Sequence, residues 1–352
     1  MFFDLFFVFF SSFTALFLLR KFARRIGLVD KPNERKHHSG SVPLVGGIAI
    51  CITLAQYLYY NPTLLADSGL YAFCIIVLTT VGALDDKFDV SFKLRFLIQG
   101  ALSICMIYFA GLELQTLGNM IGFGAIDLGV FGYFITVLAV IGAINAFNMV
   151  DGIDGLLGGL SIVTFGGLAL MLTYDGQSEL AYICLVIIIA IVPYILLNLG
   201  AFGRRRKVFM GDAGSMLIGF TVIWMLLLAS QNGTKPPLRP VTALWLIAVP
   251  LMDMAAIMIR RVRRGDSPFK PDREHLHHIF QRLGLNSVQT LIAICSIAAL
   301  YAGFGIYGEI NNIPEYAMFW LFIGFFVIYF ALLSNVWRIT AALKKHGILL
   351  QK

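Results

Sequence analysis

Apolar residues in this chain run in long blocks, without the strict alternation of a half-buried strand or the striping of a water-soluble helix. Cutting at polar clusters leaves eleven blocks, at about 2–19, 44–60, 69–84, 94–110, 129–147, 156–174, 180–199, 213–230, 240–259, 289–308 and 313–336. A helix needs about 20 mainly apolar residues to cross ~30 Å of hydrocarbon. The pattern therefore predicts an all-α polytopic membrane protein with about eleven transmembrane helices. Residues 1–352 read as one integral-membrane domain, with polar loops at about 20–43, 85–93, 148–155, 200–212 and 260–288 and a tail at 337–352. Pro193 and Pro250 fall inside blocks, which neighbouring helices tolerate. The first block has no basic residue ahead of it and no small-residue cleavage site, while Arg20 and Lys21 follow it. That is the pattern of an uncleaved span with its N-terminus outside.

Composition agrees with this picture. Apolar residues make up 59% of the chain and charged residues 13%, with a mean hydropathy of +0.82. A soluble globule, a disordered chain and a secreted disulfide scaffold are excluded, because too few polar residues remain to cover a surface. Cys51, Cys74, Cys105, Cys184 and Cys295 all lie in apolar runs without metal spacing and read as small buried hydrophobes.

The net charge of +7 is informative only by side. Of the 27 basic residues, 25 fall in one set of alternating loops, leaving Lys235 and Arg239 opposite. The positive-inside rule then predicts an outside N-terminus and a cytoplasmic C-terminus, as an odd span count requires. Of the acidic residues, Asp4, Asp67, Glu113, Asp127, Asp175, Glu179, Glu309 and Glu315 are scattered outside with no motif around them. The other twelve are cytoplasmic, several at helix ends where an ionised carboxylate needs compensation. The chemistry is expected on the cytoplasmic face.

Five constellations lie there. Asp85-Asp86-Lys87-Phe88-Asp89 follows the third block. Adjacent carboxylates repel, so either a cation such as Mg²⁺ compensates them or Lys87, Lys93 and Arg95 balance a solvated loop. Asn145-Ala-Phe-Asn148-Met-Val-Asp151-Gly-Ile-Asp154-Gly155 joins the fifth and sixth blocks. Steps of three drift by about 60° each on a helix, so the glycines predict a break that turns amides and carboxylates into one cavity. Phe209-Met210-Gly211-Asp212-Ala213-Gly214-Ser215 precedes the eighth block. There Asp212 either caps the helix or holds a metal while free N–H groups face a phosphate.

Arg260, Arg261, Arg263 and Arg264 lead to Asp272-Arg273-Glu274-His275-Leu276-His277-His278. The arginines serve as an orientation anchor, or with the histidines as contacts for polyphosphate. If this segment is helical, His275 and His278 share a face with Arg282. Lys31-Pro-Asn-Glu-Arg-Lys36-His37-His38 leads to Gly46-Gly47, where glycines allow close backbone approach.

With these motifs in this order, the chain resembles the polyprenyl-phosphate N-acetylhexosamine-1-phosphate transferase superfamily, on DDKFDVSFKLR, NAFNMVDGIDGL, VFMGDAGS and PDREHLHHIF. The H-x-H-H form is similar to the bacterial GlcNAc branch. The resemblance implies a multi-pass enzyme of the bacterial cytoplasmic (inner) membrane. It would move GlcNAc-1-phosphate from UDP-GlcNAc to undecaprenyl phosphate, giving undecaprenyl-pyrophosphoryl-GlcNAc and UMP. That is the first step of lipid-linked O-antigen or enterobacterial common antigen synthesis. It implies Mg²⁺, with Mn²⁺ as a substitute, a catalytic set of Asp85, Asp86, Asp151 and Asp154, and a metal held by Asp212 with Asp86. Nucleotide and sugar-phosphate contacts would come from Asn148, Asn198, Phe209 (stacked on uracil), His275, His277, His278, Arg260 and Arg261. Membrane lipid is a partner, nucleic acid is not, and a homodimer is compatible. Another UDP-N-acetylhexosamine, or UDP-MurNAc-pentapeptide, stays open as donor. A lipid-linked sugar transporter is the distant alternative, disfavoured because polar groups crowd one surface instead of the midplane.

Overall fold

A computed structural model describes residues 2–30, 40–233, 236–268 and 274–336. The segment Lys31 to His38, and Asp272 with Arg273, lie outside these residues. The described chain is helical apart from one two-stranded ribbon. Its helices are α1 (Phe2–Ile26), α2 (Gly46–Tyr60), α3 (Ser68–Phe88), α4 (Phe92–Ala110), α5 (Phe131–Val150), α6 (Leu156–Tyr174) and α7 (Ser178–Asn198). There follow α8 (Gly211–Gln231), α9 (Pro240–Leu246), α10 (Ala248–Arg263), α11 (Leu276–Arg282), α12 (Ser287–Ile310) and α13 (Glu315–Ser334). Strands β1 (Val29–Asp30) and β2 (Val42–Pro43) pair antiparallel, Val29 opposite Pro43.

Every apolar block has a helical counterpart, but the expectation of about eleven crossings needs correction. Among the described residues nine helices are long and apolar enough to span, or ten if the α9–α10 pair counts as one. That pair is bent by 82°. Pro250 has no N–H to give the Leu246 carbonyl four residues back, and its ring crowds that carbonyl. The Thr164 hydroxyl supplies the missing donor at 3.1 Å. Helix α2 has only 15 residues, because the chain just before it is tied to the Phe209 backbone. The Pro43 carbonyl accepts from the Phe209 amide at 2.9 Å, and the Phe209 carbonyl accepts from Val45 and Gly46.

Helix α8 is the axle of the bundle, buried without interruption from Ala213 to Gln231. It packs against α2, α3 and α5. Helices α1, α4 and α13 ring the outside and leave Phe3, Leu97, Tyr108, Phe109, Trp320 and Ile328 exposed. Such large apolar side chains suit contact with lipid tails. Cys51, Cys74 and Cys184 are buried and Cys105 and Cys295 partly so, all as free thiols.

At the end of the bundle where α8 finishes, Arg239 is clasped by Glu309, with the Gly308 and Ile313 carbonyls accepting from its guanidinium. There too the Gln231 side chain receives the Gln115 and Thr116 amides. The four described motifs gather at the opposite end.

Candidate active site

The site is built around the start of α8. Gly211 takes a left-handed φ of +73°, a conformation that glycine adopts without steric penalty. The turn it makes aims the first free amides of α8 at α3. Asp86, in the last turn of α3, accepts from the Asp212 amide at 2.9 Å and the Ala213 amide at 3.3 Å. The carboxylate thus caps a helix to which it does not belong, where free N–H groups and the helix dipole favour negative charge. Glycines permit the approach. A Cβ at Gly82 would overlap the Ala213 backbone, and one at Gly47 would overlap that of Gly214.

This decides one of the two readings left open for Asp212. Asp212 is not its own helix's cap. Asp86, expected beside Asp212 as a second metal ligand, has its oxygens on the Asp212 and Ala213 backbone amides. Helix α3 ends at Asp89 in a left-handed turn (φ 55°), and the chain doubles back into α4. Arg95 there forms an ion pair with buried Asp85, and the same guanidinium nitrogen lies 3.6 Å from Asp212 Oδ2. Asn148 donates from Nδ2 to Asp212 Oδ1 at 2.6 Å and to the Ser215 hydroxyl at 2.8 Å.

The anticipated break between α5 and α6 is present. Asp151 closes α5 with non-helical ψ of 62°, and Gly155 is left-handed at φ +78°. Asp154 pairs with Lys207 at 2.5 Å, and the Lys207 ammonium lies 5.1 Å from the centre of the Phe209 ring. Asn198, expected near a base, is instead a buried strut. Its Oδ1 accepts from the Gly155 amide at 2.6 Å and its Nδ2 donates to the Val208 carbonyl at 2.8 Å. With 1% exposure, it ties the Asp151–Gly155 turn to the segment before α8.

The histidine segment also differs from expectation. His275 is extended and outside α11, so it shares no helical face with Arg282. His275 and His277 are buried, and their rings lie parallel with centroids 5.7 Å apart. His277 Nε2 has no hydrogen-bond partner and sits where a Cβ of Gly152 would be. Burial, with His278 and His275 adding repulsion, lowers the His277 pKa to about 3. His278 is half-buried, its ring centroid 4.2 Å from that of His277.

Arg260 and Arg261, expected as phosphate contacts, are buried and turned into the loop. Arg260 pairs with Glu274 at 2.8 Å, and Arg261 donates to the Pro268 carbonyl at 2.6 Å. Arg264 makes two bonds to Glu274. The more exposed arginines of the run are Arg263 and Arg264.

Among the described residues no three His, Cys, Asp or Glu side chains form a closed metal site. Mg²⁺ does not require one, since it is bound through one or two carboxylates, water and substrate phosphates. One guanidinium reaches both Asp85 and Asp212, so these carboxylates lie within the span of a single cation. The donor set fits a magnesium ion.

Sequence reasoning counted Lys207 only as an orientation charge, weighed Arg95 only as one of three cations balancing a solvated loop, and did not single out Asp253. The signal for Asp253 was available: it is the one carboxylate inside the apolar run 240–259, where an ionisable group is costly.

The glycosyl transferase family 4 model matches residues 69–230, which include the two aspartate motifs, the α5–α6 break and Asp212. Relatives match over nearly the whole chain. An undecaprenyl-phosphate alpha-N-acetylglucosaminyl 1-phosphate transferase of Escherichia coli (strain K12) is 51% identical over 347 residues, covering 97% of this chain and 93% of its own. That of Yersinia pestis is 51% identical (97% and 94% covered), and that of Haemophilus influenzae 49% (96% and 95%).

Proposed function

The chain belongs to glycosyl transferase family 4, and from that premise we propose that it transfers GlcNAc-1-phosphate from UDP-GlcNAc to undecaprenyl phosphate, releasing UMP. The observation that carries this is the likeness at half identity over 97% of the chain, which includes the residues that meet around Asp212. An oxygen of the lipid phosphate attacks the β-phosphorus of the donor. The bond from that phosphorus to the bridging oxygen breaks, and the electron pair leaves with UMP. One pyrophosphate linkage is lost and one gained, so the equilibrium lies near balance. The reaction is placed at the cytoplasmic face of the bacterial inner membrane, where the basic loops and the acidic motifs coincide.

The difficulty is bringing two anions together. The donor carries about −2, and a phosphate monoester about −1.5 to −2 at pH 7. Arg95 supplies fixed positive charge beside Asp212 and Lys207 beside Asp154. Asn148 holds the Asp212 carboxylate in one orientation. Asp212 and Asp85 would hold the Mg²⁺, which when bound polarises phosphoryl oxygens and offsets their charge.

A lipid phosphate already close to dianionic gains little from a general base. Asp86, with its oxygens on two amides, acts by fixing the start of α8. Asp154 holds Lys207 beside Phe209, and that ring is the stacking surface for uracil. His277 and His278 border the Asp151–Gly155 turn and meet the donor's sugar phosphate.

The test is UMP release by purified protein with undecaprenyl phosphate and a panel of UDP-sugars that includes UDP-GlcNAc, UDP-GalNAc and UDP-MurNAc-pentapeptide. Turnover with UDP-GlcNAc alone supports the assignment. Turnover only with the pentapeptide donor refutes it.

A further inference from the structure

Asp253 lies in α10, behind the histidine segment and 1% exposed. Its Oδ2 is 2.7 Å from His275 Nδ1, while its Oδ1 accepts from the Leu276 amide at 3.0 Å and from the Tyr329 hydroxyl at 2.7 Å. A buried carboxylate without donors would be strongly unfavourable. This one receives bonds from the loop, from the first amide of α11 and from α13. An ionised carboxylate only accepts, so the Nδ1 that faces it carries a proton. His275 Nε2 is then the nitrogen that remains for a substrate.

We propose that Asp253 is a positioning residue of the transfer reaction. It holds His275 with Nδ1–H turned into the protein, so that Nε2 meets the sugar phosphate of the donor, and it seats the parallel His277 ring against Gly152. The inference rests on the assignment of the histidine segment to donor binding.

A purely structural role needs only an acceptor for Leu276 and Tyr329, which an asparagine oxygen also provides. The side chain's charge and polarity matter only towards His275. In Asp253→Asn the amide donates to Nδ1 and drives the imidazole proton to Nε2. The polarity presented to the donor is thereby inverted, while size and the other two bonds are kept.

Two measurements test this on the full-length protein. The first is the nitrogen spectrum of histidine-labelled protein in lipid bilayers, with His275→Asn to assign the signal. Wild type should carry its proton on Nδ1 and Asp253→Asn on Nε2. The second is UMP release. Asp253→Asn should lower kcat about 10- to 100-fold, the range for loss of a carboxylate that orients a functional histidine. KM for undecaprenyl phosphate should stay within about twofold, as uniform binding of the acceptor is untouched. In a His275→Ala background the same substitution should change kcat by less than about twofold, since both changes remove one coupled unit.

A wild-type imidazole protonated on Nε2 overturns the proposal, as does a loss of equal size in both backgrounds. If Asp253→Asn fails to fold, the wild-type spectrum decides. If wild type releases no UMP from UDP-GlcNAc, the assignment of the reaction falls, while the spectrum still judges the Asp253–His275 contact.

Discussion

Single residues set how closely the backbones meet, and glycine does so at Gly47, Gly82 and Gly211. A Cβ on Gly47 would collide with backbone atoms of Gly214, which unlike a side chain cannot swing away. Gly47→Ala should therefore destabilise by about 1–3 kcal/mol or more, seen as a lower thermal midpoint in detergent. Gly100→Ala, with nothing within 4 Å of the added carbon, should hold or raise that midpoint. Asp212 was legible as a functional residue from its motif, but its partners were not. Asparagine there keeps the shape and removes the charge that faces Arg95. Asp212→Asn should accumulate in the membrane as wild type does and lose at least about 100-fold in UMP release, the scale of removing one electrostatic contributor at a phosphoryl-transfer centre. An active Asp212→Asn would defeat the site assignment. Asn198 marks the limit of residue-level reading. An asparagine that recognises a ligand and one that bridges two backbones have the same letter and differ only in what surrounds them.

At the scale of elements, one device recurs. Asp86 of α3 receives the first amides of α8, and Asp253 of α10 receives the first amide of α11. In each case a carboxylate from one helix ends another, so two segments distant in sequence share a fixed geometry. Local capping rules place the cap next to the helix it serves, and for that reason sequence reasoning weighed a capping role for Asp212 and none for Asp86. The bend at Ile247 shows the same division. Pro250 signals a disturbance, but not that Thr164 of α6 would stabilise it. Thr164→Val leaves the buried Leu246 carbonyl without its donor, at a cost of about 1–3 kcal/mol. The substitution should lower the thermal midpoint and also reduce turnover, because α10 carries Asp253, Arg260 and Arg261. Unchanged stability would mean that the bend does not depend on this bond.

For the whole molecule, charge sorted by side implies that the site end faces the cytoplasm. A cysteine in place of Arg205 should react with a membrane-impermeant maleimide only in inverted vesicles, and one in place of Gly233 only in intact spheroplasts. Chelation should stop UMP release and Mg²⁺ restore it, without change in the thermal midpoint, since the fold does not rest on a closed metal site. Stability should depend on pH through His277. Unfolded, this histidine takes up its proton near the ordinary pKa of about 6.5, whereas in the fold it refuses one until about pH 3. Below pH 6.5 the unfolded state therefore binds the extra proton, and stability falls by up to about 1.4 kcal/mol per pH unit. Above that pH the group contributes no slope. Stability profiles between pH 5 and 8 should flatten in His277→Gln. An equal slope in that variant would place the titration elsewhere.

The amino-acid sequence by itself determined that the chain is helical and rich in membrane-length apolar segments, and that its polar motifs share one end. Hydropathy and charge bias are properties of short windows, and the solvent acts on them directly. Tertiary structure alone decided which carboxylate faces a cation and which a backbone amide. It also decided that Asn198 and Arg260 hold the protein together, and that Asp253 reaches His275. These outcomes depend on which neighbour comes within about 3 Å of a buried polar atom, where an unpaired donor or acceptor is costly. That neighbour lies from 10 to 126 positions away along the chain, beyond the reach of a helical turn.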